Sequence, residues 1–547
     1  MSSLSKASSG PVPVDSSGES GVSHRTATLV LACAGVFISY LPVVGVSTSI
    51  GVIQQALDAS TAQLQWILDA FVLPTAALLL SFGVIGDRFG RKKVFLTGLL
   101  LTVAGCLIAL TASGAVQVCV GQAVTGAGSA ALLPSTLGLV AHVHPDRARR
   151  ARAIAVWTAF LGLGLTLGPL VNGLILNHAA WRWIFLPSVI LGAVVAVAGF
   201  FLLRDSRSEH IRHLDVPGQI LAIIGITGVV YGVIEGGGTA GWGDAEVVVA
   251  FVLAGLALFG FVLAELRSSS PMLDLRLFRS SAFSGAALVM TITLFAQVGL
   301  VFALSEYFSL VHHASAWNIG VRLIAVNGLT VVLAPVVGRL MNRFTPSLVM
   351  LAGLVVSGVG ALLVTLVEAD TGTGETVLLI AVMGVGLALA VAPITTVAMN
   401  SLPRHLAPVA GSSNSALRQI GSALAPAVFG VVLTHRTLSS LAGHLSASGL
   451  SQADQGQVDG MVHGAGIQAG AFLRLSGEQS TEQALGAFAA SFTDALHECA
   501  WIGGIGMLIA AMISLLTIGV KRTQESRRPT EATASTGAAT PLSGRAG

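Results

Sequence analysis

Asp69, Glu306 and Arg418 stand out in this 547-residue chain because each places a charge inside or at the edge of an apolar run. Such a position is costly for a charge and so needs a reason. Asp69 follows Trp66 by three residues in the first turns of its run, and Glu306 lies near the end of another. Arg418 sits about nine residues into a third run, ~13 Å deep at the rise of a helix, where a cation needs a partner or a wet cavity. A carboxylic acid in partly apolar surroundings can take up a proton on one side of a barrier and release it on the other, so Asp69 and Glu306 are the proton-coupling candidates. Each keeps a plainer alternative: Asp69 as an acid favoured by a helix N-terminus, Glu306 as a snorkelling or solvated side chain. Enzymatic chemistry has no comparable footing. The sequence holds no phosphate-cradling Walker loop, no Gly-x-Ser-x-Gly and no His or carboxylate cluster at metal-ligand spacing. Neither cofactor nor metal is expected, and the chain does not read as an enzyme.

Charge is most concentrated in the turn Gly83-Val-Ile-Gly-Asp-Arg-Phe-Gly-Arg-Lys-Lys93, between two apolar runs. Arg88, Arg91, Lys92 and Lys93 cannot enter hydrocarbon cheaply, so the turn must lie at a membrane surface, cytoplasmic by the positive-inside rule. Gly83 and Gly90 allow close backbone approach and a tight reversal, while Asp87 can pair with a neighbouring Arg or cap a helix. Positive-inside placement explains the charges of this turn but not their spacing.

The elements that carry these residues follow from composition. Only 10% of residues are charged and 53% are hydrophobic, against about 25% charged in soluble proteins, so the chain reads as an all-α polytopic membrane protein. At ~20 apolar residues per crossing, about fourteen crossings fit between residues 27 and 519. With the N-terminus cytoplasmic, the basic connections (Arg88 to Lys93, Arg147 to Arg152, Arg204 to Arg212, Arg267 to Arg279, Lys521 with Arg522) share one face. Both termini are then cytoplasmic. The net charge of +3 is sorted by membrane side and gives no nucleic-acid surface. Cys33, Cys106, Cys119 and Cys499 read as small core hydrophobes, and the adjacent His312 and His313 as facing solvent.

Internal repetition sets the domain plan. Gly126-Ala-Gly128 recurs as Gly384-Val-Gly386, Gly164 to Gly173 recurs as Gly421 to Gly430, and a fainter copy of the Gly83 turn begins at Gly338, all offset by 255 to 259 residues. Duplicated halves with a site between them are how alternating-access transporters are built. The offset spans eight crossings, so two are inserted between six-helix halves. The expected plan is a disordered tail over 1–26, a six-helix bundle over 27–203, a linker with two inserted helices over 204–281 and a second six-helix bundle over 282–519. Within the last, about 435–496 reads as a long outer loop with an interfacial helix near Met461 to Leu475, and 520–547 as a disordered tail.

The Gly83 to Lys93 turn resembles the signature loop of the major facilitator superfamily, a latch on the cytoplasmic gate, with Gly83, Asp87, Arg88, Gly90 and Arg91 at matching positions. The run Gly164-Leu-Thr-Leu-Gly168-Pro169-Leu-Val-Asn172-Gly173 resembles the antiporter packing motif of that superfamily, with Asn172 where glycine is usual. From about residue 27 to 519 the chain is similar to the fourteen-helix drug:proton antiporter branch. Two departures stand against that pattern: the first helix has no acid, Tyr40-Leu-Pro42 standing where one is usual, and Gln122 replaces a buried Arg. The Arg418-Gln419-x-Gly421 run recurs in the branch, so Arg418 and Gln419, together with Gln122 at the position of the branch's buried Arg, are cavity or gating candidates. The resemblance implies a major facilitator fold and export of a hydrophobic or amphipathic small molecule, drug or self-made antibiotic, in exchange for protons. It further implies a monomer in the plasma membrane, whose partners are substrate, protons and lipid. A lipid, siderophore or peptide exporter is the alternative on the same scaffold, and a non-transporting sensor or chaperone the alternative of another class.

Overall fold

The computed structural model describes residues 17–144, 147–207, 215–237, 241–268, 271, 273, 275–402, 407–471, 473 and 477–518. Every regular element among them is helical: α1 Ser17–Thr48, α2 Ile50–Leu57, α3 Thr61–Phe89, α4 Arg91–Leu110, α5 Ala115–Val143, α6 Arg147–Leu176, α7 Leu186–Leu202, α8 Val216–Gly236, α9 Ala245–Arg267, α10 Ser281–Leu310, α11 Ala316–Val332, α12 Ala334–Arg343, α13 Pro346–Leu363, α14 Thr373–Asn400, α15 Ala407–Ala447, α16 Gln452–Ala465 and α17 Glu478–Thr517. Ten helices are long and apolar enough to cross a membrane, or twelve if two bent pairs each count as one span. The expected fourteen crossings are compatible with this, since α6 and α15 add 30 and 41 helical residues.

Local sequence sets the helix ends. Ser60 and Gln63 form a reciprocal capping box at the start of α3, satisfying two backbone donors that would otherwise be bare. Asp215 accepts from the Gly218 amide at 2.9 Å and, with Pro217 in the first turn, opens α8 as the sequence indicates. Pro335, which cannot donate and crowds the preceding turn, accompanies a 42° bend between α11 and α12.

The weak sequence repeat is a repeat of contacts. A Cβ at Gly126 would come within 2.2 Å of the Phe71 carbonyl on α3, and one at Gly384 within 2.1 Å of the Ala325 carbonyl on α11. Gly164 faces the Phe37 carbonyl on α1 and Gly421 the Thr291 carbonyl on α10. Gly45 and Gly299 lie under Asn172 and Phe429, so even the unusual Asn172 occupies the place its counterpart occupies in the other half. Equivalent glycines thus let equivalent backbones approach, which is how helices pack where lipid supplies no hydrophobic drive. The halves are α1 with α3 to α7, and α10 to α15 with α17; they meet where α6 packs on α11 and α3 on α15. Of the inserted pair, α8 lies against both α3 and α15, Val230 and Ile234 packing with Leu73, Ala423 and Ala427, while α9 is exposed along most of its length.

Three readings are corrected. Ser17 to Thr26 belong to α1 instead of an irregular tail, whereas 1–16 and 520–547 lie outside the described residues. The stretch 435–496 is mostly helix: α15 runs on to Ala447, α16 and a 3-10 turn over Gly466–Ala471 follow, and α17 begins at Glu478. Its Ala, Gln and Ser content hides helices that pack on one another outside the apolar runs, where hydropathy gives no signal. The helix expected near Met461 to Leu475 lies earlier, at Gln452–Ala465, followed by the 3-10 turn. His312 is half-buried, its Nε2 3.1 Å from the Tyr307 hydroxyl, and burial, then the Arg322 charge, hold its imidazole below the ordinary pKa.

Candidate functional site

The charged turn is built around Gly90, whose φ of 115° and ψ of 128° join α3 to α4 without a linker. A Cβ there would lie 2.3 Å from the Asp205 carboxylate, so glycine is required both by conformation and by space. Asp205 in turn accepts from the Lys92 amide at 3.3 Å, an acid at the positive end of α4. Arg91 is the hub: Nη2 and Nε donate to Asp87 Oδ1 at 2.8 and 3.1 Å, and Nη1 donates to the Gly138 carbonyl on α5 at 3.0 Å. Its own amide donates to the Ser206 carbonyl at 2.9 Å. Asp87, Arg91 and Gly90 are therefore brought together. Arg88 is exposed over the Phe89 ring, and Gly83 has ordinary 3.7 Å room toward Pro134, so close approach resides at Gly90 and not at Gly83. Asp205 was not legible in the sequence, being an acid in a loop more than 110 residues from its partner.

The antiporter motif divides between two duties. Gly164 and Gly168 press on Phe37 and Val44 of α1, within one half, whereas Gly173 faces the Trp317 backbone of α11, a Cβ being only 2.4 Å from its Cα. Asn172 donates to the Gly168 carbonyl at 2.8 Å. The side chains of Pro169 and Gln419 lie outside the described residues.

Asp69 is 0% exposed, and neither carboxylate oxygen has a hydrogen-bond partner among the described residues. Because α3 starts at Thr61, Asp69 is its ninth residue, beyond the first turn where the helix dipole acts. That removes the plainer reading. Gln65, one turn before, meets Gly430 of α15, and Leu73, one turn after, packs with Ala423 and Ala427. Asp69 therefore sits on the α3 face turned to α15, in the seam between halves. Gln122 is fully buried on α5, its amide likewise unpartnered among the described residues, one turn from the Gly126 contact with α3.

Glu306 is 2% exposed and joins Ile50, Leu64, Gln65, Phe302, Gly430 and Ile467 around a cavity of about 10 Å³ where α10, α3 and α15 meet. Such a space is at the lower limit for one water, so the halves are in contact at the end of the bundle remote from the Gly90 turn. Arg418 crosses the seam, Nη2 lying 3.4 Å from the Tyr40 hydroxyl of α1. Among the described residues the side-chain hydrogen-bond partner of Arg418 outside its own helix is Tyr40. Arg322, which the sequence reading passed over although it is a cation in the α11 run, stacks 4.8 Å over Phe308. Among the described residues no His, Cys, Asp and Glu group could hold a metal.

Two pseudo-equivalent helical bundles, buried ionisable groups in the seam and a charged turn at one end define a multi-pass membrane transporter fold. The sequence model of the Major Facilitator Superfamily matches residues 32–426, and the chain belongs to that family. It is 33% identical over 428 residues to the tetracenomycin C resistance and export protein of Streptomyces glaucescens, covering 76% of this chain and 79% of that one. It is 31% identical to the multidrug resistance protein Stp of Mycobacterium tuberculosis (strain CDC 1551 / Oshkosh), with 76% and 78% covered. A bacterial homologue of the human lysosomal transporter Spinster, solved inward-facing and unoccupied, shares the fold with a TM-score of 0.61 at 15% identity over 92% of this chain and 99% of its own.

If the turn is a latch, releasing Arg91 from Asp87 should change transport without changing insertion, because topology follows Lys and Arg. Asp87→Asn is expected to insert at wild-type levels, keep the Gly138 contact and export several-fold less, because the two Arg91 bonds to Oδ1 lose the carboxylate charge. Equal export at matched membrane abundance would remove the latch.

Proposed function

We propose that the chain is a secondary active exporter of hydrophobic or amphipathic small molecules, drugs or antibiotics, working by alternating access with the Gly90 turn cytoplasmic and both termini inside. The relatives named above support the substrate class. The observation that carries the mechanism is Asp69, a carboxyl buried in the seam that must open and close. In the closed seam Asp69 is dry; separation of α3 from α15 wets it and lets it exchange a proton. Glu306, in the opposite half at the remote end, is the second candidate. Arg418 and Tyr40 lie where the halves face each other and supply polar contacts to a substrate between them. With few acids facing the seam, neutral or singly charged substrates are favoured over dications, whose second charge would go unpaired. Transport of this kind needs no chemical step on the substrate, and one chain holds both halves, so a monomer suffices.

The test is efflux from proteoliposomes with an imposed pH gradient and a panel of neutral, monocationic and dicationic dyes. Gradient-dependent movement of the first two is expected. No movement of any solute would leave a sensor or chaperone role, and strong dication export would overturn the substrate class.

A further inference from the structure

A chain returning from one span to the next needs only a few residues, yet between Gly430 and the apolar part of α17 this protein builds a folded extension. Leu441 and Leu445 of α15 pack with Val458 and Val462 of α16 and with Phe488 and Phe492 of α17, all within the same core as Leu304 and Phe308 of the C-terminal half. His444 pairs with Asp494 at 2.9 Å and Arg436 with Glu498 at 3.4 Å, tying α15 to α17. His497 lies 2.7 Å from the Val367 carbonyl, anchoring α17 to the loop after α13. The extension therefore belongs to the C-terminal half and must travel with it.

One part of it reaches the other half. The 3-10 turn Gly466–Ala471 packs against α3 as well as α10, α15 and α17. Its Ile467, 1% exposed, closes the small cavity around Glu306 on the side of Leu64, Gln65 and Ile50. Ile467 thus stands on the seam as an apolar plug, held by one half and seated on the other.

We propose that the extension is a lid: Ile467 seals the seam remote from the Gly90 turn, and the seam cannot open to that side until Ile467 leaves α3. This rests on the alternating-access reading above. Gln65→Cys with Ile467→Cys, joined by a short bifunctional thiol reagent, should lose export at least about tenfold and regain it when a cleavable link is cut. His444→Cys with Asp494→Cys, both in the extension, should be joined without loss, and the wild type, with Cys33, Cys106 and Cys499 buried and Cys119 partly exposed, controls for the reagent. Export by the joined variant is read against the same variant left untreated, whatever its level, and export by the wild type separates failure of the lid from failure of the transporter reading. A second measurement needs no export: Ile467→Ala should raise labelling of Phe302→Cys by an impermeant thiol reagent several-fold from the remote side. Undiminished export by the joined Gln65 and Ile467 variant, failure of that pair to join, or unchanged Phe302→Cys labelling would each overturn the lid.

Discussion

Asp69→Asn is expected to abolish export against a gradient while leaving substrate exchange nearly as fast as in the wild type. The carboxyl is 0% exposed with no hydrogen-bond partner among the described residues. An unpaired ion held so would cost several kcal/mol, which is why the proton carrier is proposed here. The nearest change of surroundings available is separation of α3 from α15, because Gln65 and Leu73 on either side of Asp69 are the residues that join those helices. On the proposed mechanism, proton uptake and release are tied to seam opening and closing, which is the requirement for coupling. Asparagine has nearly the same volume and is always neutral, so packing survives and titration does not. Uphill efflux should fall about tenfold or more, and residual transport should no longer follow the imposed pH gradient. Counterflow of labelled against unlabelled substrate needs no proton and should stay within about twofold of wild type. Undiminished uphill export by the variant would move the proton to Glu306 or to the substrate. Loss of counterflow as well would mark Asp69 as part of the seam's packing.

What the sequence made legible and what it did not follow one physical line. Glycines and charges at fixed spacing gave the Gly90 turn, because a positive φ and a basic cluster are local demands. The repeat survived as glycine positions for a similar reason: Gly126 and Gly384 press on backbone, where any side chain collides. Pairings across the chain were silent. Nothing in the neighbourhood of Asp205 announces Gly90, and nothing near Tyr40 announces Arg418. Asp69 was found for its charge but placed in the first turns of its helix, because apolarity starts near Trp66 whereas the capping box starts the helix at Thr61. Residues 435 to 496 were misread for the same cause, helices there being specified by packing partners instead of by an apolar run.

The size of the contact at Gly173 leads to the other large effect. A Cβ there would lie 2.4 Å from Trp317 Cα and 2.5 Å from its nitrogen, and backbone in another helix cannot move aside as a flexible side chain can. Gly173→Val would force α6 and α11 apart at the remote end, so the halves could no longer close there. Each half would still fold, because the clash lies between halves and the within-half contacts of Gly164 and Gly168 with α1 are untouched. Export should fall about tenfold or more, with ~1–3 kcal/mol of overpacking set against the closed state, and remote-side labelling of Phe302→Cys should rise. Its repeat partner offers a graded comparison. Gly430 faces only the end of the Gln65 side chain at 2.3 Å, which can turn away, so Gly430→Ala should lose far less. Gly338→Ala, with nothing within 4 Å of the added carbon, should behave as wild type. Gly173→Val exporting as well as Gly338→Ala at equal abundance would mean that the α6 and α11 contact is not closed and reopened during the cycle, and the seam on that side would have to be a fixed hinge.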